Sequence, residues 1–157
     1  MRITVSGTPP CDLRAVRAAM RAAVRPYGLP RDAQVALAFV DDGEMRELNR
    51  RHRGKDRTTD VLSFGQETGG ATGRDAVARL RREADGTLEV GDVVVSVAQA
   101  KGQARRRRHS LETEVAFLAA HGALHLLGFE DATPAGYREM VRLGRAAVAS
   151  AVAPRRR

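Results

Sequence analysis

His121 and His125 stand four residues apart in the stretch His121-Gly122-Ala123-Leu124-His125-Leu126-Leu127-Gly128-Phe129-Glu130-Asp131. On a helix that spacing puts both imidazoles on one face. Gly128 can end such a helix, because glycine accepts the left-handed conformation found just past many helix C-termini. The chain can then turn back and set Asp131 beside the two rings. Two imidazoles and a carboxylate, with a position left open, are the ligand set of a catalytic divalent metal.

The spacing is that of the extended zincin motif H-E-x-x-H-x-x-G-x-x-H, with two departures. Gly122 stands where zincins carry the glutamate that acts as general base, and Asp131 where they carry a third histidine. Peptide hydrolysis by the zincin route is therefore not expected, and a metalloprotease or other metallohydrolase ranks third among the readings. Glu130, next to Asp131, is an alternative third ligand, although the register of the motif favours Asp131. The bland alternative is a pair of core histidines bonded to backbone. Against it, the surrounding residues Val115 to Ala120, Ala123, Leu124, Leu126 and Leu127 are apolar almost all round, as in a buried central helix. Two unpartnered imidazoles there would be costly, and one metal ion satisfies both.

The elements that must position this helix follow from periodicity and capping. Arg2 to Val5 alternates as a short strand. Asp12 is placed to cap a helix running to about Arg25, with Leu13, Val16, Met20 and Val24 as its apolar stripe. Val35 to Val40 reads as a strongly apolar strand. Asp41 and Asp42 start a helix through Arg50, followed by a charged loop from Arg51 to Asp56 and a strand from Asp60 to Phe64. Residues 68–88 lose clear period and read as a flexible insertion, with a short helix from Arg74 to Ala84 and a turn at Asp85-Gly86. Val93 to Val95 is a buried strand run, and Ser96 caps a helix from Val97 to about Arg106. Ser110 caps the central helix, with Glu112 and Glu114 favoured in its first turn by the macrodipole. Thr133-Pro134 opens a last helix that turns Tyr137, Met140, Val141 and Val148 inward and finishes over Ala149 to Ala153, before a basic tail at Arg155 to Arg157. The fold class is α/β (α+β): a mixed sheet of about four strands flanked by helices, with a central buried metal-binding helix.

A chain of 157 residues is expected to form a single domain over 1–157 with a proper core. The one cysteine, Cys11, excludes an intrachain disulfide. No apolar leader follows Met1, and the longest apolar run, near Val115 to Phe129, is too short to span a bilayer, so no membrane association and a cytoplasmic location are expected. The formal charge of +8 favours an anionic partner, nucleic acid first. Aromatic residues make up only 4% with no tryptophan, which argues against a base-stacking sheet and for phosphate contacts. The run Arg105-Arg106-Arg107-Arg108 is a candidate RNA contact; its bland alternative is a solvated helix end. His52 and His109 read as surface residues.

The histidine stretch also resembles the signature H-G-x-L-H-L-x-G-Y-D-H of the YbeY family, bacterial single-strand-specific metallo-endoribonucleases that mature ribosomal RNA; here it reads H-G-A-L-H-L-L-G-F-E-D. Leu48-Asn49, Arg53-Gly54-Lys55-Asp56 and Thr59-Asp60-Val61-Leu62-Ser63-Phe64 resemble the family's second motif, and Gly91-Asp92-Val93-Val94-Val95-Ser96 its third. The likeness covers most of the chain from about Val35. It implies hydrolysis of single-stranded RNA in ribosomal RNA maturation and ribosome quality control, with His121, His125 and Asp131 holding one metal per chain. Zn2+ suits two neutral nitrogens and an oxygen, and Ni2+ or Co2+ fits the same donors. The resemblance further implies Arg53 as the catalytic arginine, assisted by Lys55, and ribosomal small-subunit proteins or an assembly GTPase as partners. The second reading is a non-catalytic RNA-binding assembly factor that keeps a structural metal.

Overall fold

Strands β1 (Arg2–Ser6), β2 (Gln34–Val40), β3 (Val61–Gly65) and β4 (Glu89–Ser96) form one sheet in the order β1-β2-β4-β3 in a computed structural model of the chain, which describes residues 1–152. The expected basic tail at Arg155–Arg157 and the helix end at Ala153 lie outside the described residues. The middle strand β2 is parallel to both β1 and β4, and the edge strand β3 runs antiparallel to β4. The expected mixed sheet of about four strands is thus present. Alternate residues of each strand point to opposite faces. Val35, Leu37 and Phe39 of β2, with Val93 and Val95 of β4, join the main core on one face. Val94 and Leu62 meet Met45 in a smaller cluster on the other.

The helices are α1 (Arg14–Val24), followed by a 3₁₀ turn at Arg25–Tyr27, α2 (Asp42–Arg53), α3 (Arg74–Arg79), α4 (Val97–Arg107), α5 (Leu111–Leu126) and α6 (Pro134–Val152). Helix α5 is central, packed on α1, α4, α6, β3 and β4. That is why it reads apolar on nearly every side. Short polar caps set the helix starts. Asp41 and Glu44 form a reciprocal capping box at 2.8 and 3.0 Å. Ser96, Ser110 and Thr133 each accept a backbone N–H of the first turn.

Several boundaries differ from expectation. Helix α2 continues to Arg53, because Arg51, His52 and Arg53 lie on exposed positions that a surface helix tolerates, and Gly54 at φ +67° then ends it. Helix α1 starts at Arg14, whose N–H donates to Asp12 Oδ1 at 2.9 Å. Helix α3 stops at Arg79, because Leu80 turns extended. Tyr137 does not point inward: it is 54% exposed, while Met140 alone of the four residues expected inward is fully buried. The stretch 68–88, expected to be a flexible insertion, is fastened to the body. The Gln66 amide bridges the Arg81 and Glu89 backbones, Arg82 pairs with Asp32, and Ala76 and Leu88 are buried.

One carboxylate ties the site-bearing loops together. Asp42 Oδ1 accepts from Thr58 Oγ1 and Ser96 Oγ, each at 2.8 Å, and Gln99 Nε2 donates to both its oxygens. These bonds join α2, the loop before β3 and the start of α4. The bond from Thr58 above all, then those from Ser96 and Gln99, hold the Asp42 carboxyl below its ordinary range against the opposing effect of burial. A carboxylate with a depressed folded pKa stabilises above its unfolded pKa, and that contribution is lost as pH falls through the folded value. Asp42→Ala is expected to cost about 1–3 kcal/mol at pH 7. Urea unfolding across pH should show the gap from wild type shrinking below about pH 4.

Candidate metal centre

Helix α5 lies unusually close on the sheet at Gly122. A Cβ there would sit 2.5 Å from Val93 Cγ1 and 3.0 Å from Ser63 Oγ. The approach lets Ser63 Oγ donate to the Gly122 carbonyl at 2.8 Å. Position 122 therefore faces the sheet, and the two histidines come off the side of the helix that opens to solvent. At the C-terminus Gly128 adopts φ +80°, which reverses the chain and returns Asp131 to the rings. The Gly73 N–H donates to the Leu127 carbonyl at 2.9 Å, and Tyr27 packs on Phe129 with ring centres 5.1 Å apart. The stretch 68–88 thus buttresses the turn that carries Asp131.

Three donor atoms converge. His121 Nε2 lies 3.2 Å from His125 Nε2 and 3.1 Å from Asp131 Oδ2, and His125 Nε2 lies 3.5 Å from the same oxygen. A tetrahedral ion with bonds of about 2.0–2.1 Å separates its ligand atoms by about 3.3 Å, so the triangle has the size of one tetrahedral face. His125 Nδ1 stands 2.8 Å from the Phe129 carbonyl, which can only accept. Nδ1 is therefore the donor of that bond, and Nε2 is the ring nitrogen turned to the other two ligand atoms, the orientation in which metal-binding histidines are usually held. Burial first, and His125 second, push the His121 imidazole below its ordinary pKa, while Asp131 and Asp60 oppose them. His121 is then neutral at neutral pH, the form that binds a metal. The group His121, His125 and Asp131 could hold a metal ion. Asp131, not Glu130, is the carboxylate at the rings; Glu130 lies on the wall nearby.

The triangle opens into a cleft of about 470 Å³. Arg53, Lys55 and Arg57 line it from α2 and the loop that follows, and Arg107, Phe117 and Tyr137 from α4, α5 and α6. Arg53 is brought to the site from the last turn of α2. Its Nη2 donates to the Ser63 carbonyl at 2.8 Å, and its guanidinium carbon lies 5.8 Å from the Phe64 ring centre. The remaining N–H donors of the fork are free of that bond. Buried Asn49 donates to the Arg57 carbonyl at 2.8 Å and so holds the 54–59 loop that bears Lys55.

The four-arginine run does not act as one unit. Arg105, Arg106 and Arg108 are exposed at the end of α4. Arg107 turns to the cleft and pairs with Glu114 at 2.8 Å. Glu114, expected in the first turn of the central helix, is fully buried, and its other oxygen is met by His109, which is exposed as expected. Carboxylates are buried only when paired, and Arg107 at the end of α4 with His109 in the connection to α5 provide that here. Asp60 was not singled out as a site residue, yet it lines the cleft and accepts from the Val61 N–H and from Gln103 Nε2. Its sequence signals were a carboxylate opening an apolar strand and a place in the second of the three motifs.

The chain is similar to known proteins over most of its length. The family model described as Endoribonuclease YbeY matches residues 12–151. A relative from Moorella thermoacetica named Endoribonuclease YbeY is 43% identical over 128 residues, covering 82% of this chain and 79% of that protein. The protein of the same name from Oceanobacillus iheyensis is 42% identical, covering 69% and 67% of the two chains. One from Bacillus cereus is 37% identical, covering 80% and 77%. The solution structure of TM1509 from Thermotoga maritima superposes with a TM-score of 0.61 over 96% of this chain and 89% of that one, at 23% identity, a likeness of fold.

Two substitutions test this construction. Gly122→Glu, which supplies the zincin glutamate, should give no casein hydrolysis and should lower the thermal midpoint by the equivalent of about 1–3 kcal/mol, because the new side chain collides with Val93. Gly128→Ala would place a Cβ 2.0 Å from the Ala71 carbonyl oxygen at a left-handed φ. Chelator competition should show metal binding weakened roughly tenfold or more, as for other disturbed supports of a metal ligand.

Proposed function

The chain belongs to the YbeY endoribonuclease family, and on that premise we propose that it is a metal-dependent, single-strand-specific endoribonuclease acting in ribosomal RNA maturation and ribosome quality control. The observation that carries this reading is the set of three convergent donor atoms at the floor of a cleft with basic walls. His121, His125 and Asp131 hold one Zn2+ per chain; Ni2+ or Co2+ suits the same donors. When bound, the ion lowers the pKa of a water toward neutrality and polarises a phosphoryl oxygen. Relative to a third histidine, Asp131 makes the site harder and adds a negative charge.

Arg53 is the catalytic arginine. Fixed through one donor to the Ser63 carbonyl, it presents its other donors to a phosphate oxygen, where negative charge builds in the transition state. Lys55 and Arg107 bind the backbone on either side, and exposed Arg105, Arg106 and Arg108 extend the basic surface for ribosomal RNA. The catalytic unit is one domain, and it works in the cytoplasm with ribosomal small-subunit proteins or an assembly GTPase as partners. Among the described residues no helix is long and apolar enough to cross a membrane.

Metal analysis by plasma mass spectrometry and cleavage of a labelled single-stranded RNA test the reading together. Wild type should carry near-stoichiometric metal and cleave. His125→Ala should lose both. Arg53→Ala should keep its metal and lose on the order of 10²–10³-fold in kcat. Full activity in His125→Ala would overturn the assignment, and a metal-loaded wild type without turnover would make the metal structural and the protein an assembly factor. Replacing Arg105, Arg106 and Arg108 with alanine should lower the salt slope of RNA binding by about 0.7 for each phosphate contact removed.

A further inference from the structure

A second groove, of about 680 Å³, continues from the cleft between α5 and α6. Arg107, Phe117, Tyr137 and Val141 line both cavities, so the two form one continuous surface. Beyond that junction the groove is walled by Val148 and edged by Arg145. Among the described residues no carboxylate lines it. Its volume falls in the range of pockets that enclose small ligands, roughly 300–1,000 Å³. Tyr137 is 54% exposed at its lip, one of two large apolar side chains left so open among the described residues.

The junction is built. The Glu114 side chain is 0% exposed, and it holds Arg107 Nη1 at 2.8 Å while His109 meets its other oxygen. The Arg107 guanidinium carbon also lies 5.8 Å from the Phe117 ring centre. With its side chain 47% exposed, Arg107 keeps donors free toward the opening between the two cavities. A buried carboxylate that fixes a half-exposed guanidinium in place presents the free donors of that guanidinium at a set position, where an anion can be met.

We infer that this groove is a nucleotide subsite for the single-stranded substrate: Arg107 takes the phosphate at the junction, and the base of that nucleotide lies against Tyr137, Val141 and Val148. The inference rests on the endoribonuclease reading and deepens it. The apolar wall suits a base face, the cationic edge of Arg107 and Arg145 suits the backbone, and continuity with the metal cleft puts that nucleotide next to the scissile bond. An unpaired base enters without the cost of breaking a base pair, which favours a single strand. Glu114 is a positioning residue, acting through Arg107.

The test is an abasic scan. Short labelled single-stranded RNAs, each with one base removed, are mixed with the metal-loaded full chain, and stopped-flow anisotropy reads binding before turnover. One position should weaken binding by about tenfold, within the range measured for single stacked bases. Tyr137→Ala and Val148→Glu should bind the intact RNA about tenfold more weakly and lose the penalty at that position, with metal content and melting temperature kept. Val148→Glu keeps the experiment decisive if Tyr137→Ala fails to fold. A flat scan, or a penalty undiminished in both variants, overturns the subsite even if cleavage is normal. A coupled penalty without any cleavage supports the subsite and overturns the nuclease reading, and no RNA binding at all overturns both.

Discussion

Helix α5 rests on the sheet at a spacing that leaves no room for a methyl group at position 122. With about 100° of rotation per residue, fixing Gly122 against Val93 sends positions 121 and 125 off the same side of the helix. Both imidazoles then reach the edge of the layered core, where a carboxylate can join them from a turn. The same contact is locked by the Ser63 hydroxyl on the Gly122 carbonyl, and the carbonyl of Ser63 itself holds Arg53. One residue of β3 therefore sets the distance between the helix that supplies the nitrogens and the helix that supplies the cation. A peptidase base at 122 is excluded by packing before chemistry is considered, since that direction is filled by the sheet.

The electrostatics around the cleft are arranged with little waste. Three acidic groups near it are committed: Asp42 to two hydroxyls and an amide, Asp60 to a backbone N–H and Gln103, Glu114 to Arg107 and His109. Arg53 and Arg107 are each held by a single anchor that leaves donors free. A site whose buried acids are committed and whose guanidinium groups are partly free attracts a polyanion and disfavours a neutral peptide. Membership in the YbeY endoribonuclease family and this charge pattern describe the same molecule from two directions.

Much of this was legible in the sequence because it depends on local rules. The i, i+4 histidines, the glycine after the helix and the caps at Asp41, Ser96, Ser110 and Thr133 are decided within a few residues. Burial on every side of α5 was legible from composition alone. What escaped depends on partners far along the chain or on small differences in angle. Tyr137 shares a helical stripe with Met140 and Val141, and one stripe can face either a core or the groove beside it. Glu114 looked like a dipole-compensating acid until α4 brought Arg107 down on it. The last turn of α2 is charged and read as loop, since nothing in Arg51-His52-Arg53 shows that Gly54, rather than the charges, sets the stop. Residues 68–88 lack period because their anchors are single polar side chains reaching backbone, which no hydrophobic pattern records.

The fastening of that stretch makes the molecule's hydrogen exchange informative about its chemistry. The Gly73 amide is bonded to the carbonyl of Leu127, immediately before the reversal that presents Asp131. Opening of the 71–73 strip and loosening of the turn are then coupled equilibria, and free-energy coupling is reciprocal. An ion that steadies the turn must slow exchange at Gly73, and whatever pries up the strip must weaken the hold on the ion by the same factor. A backbone proton on a residue that supplies no ligand atom becomes a gauge of site occupancy, and a surface excursion becomes a lever on it.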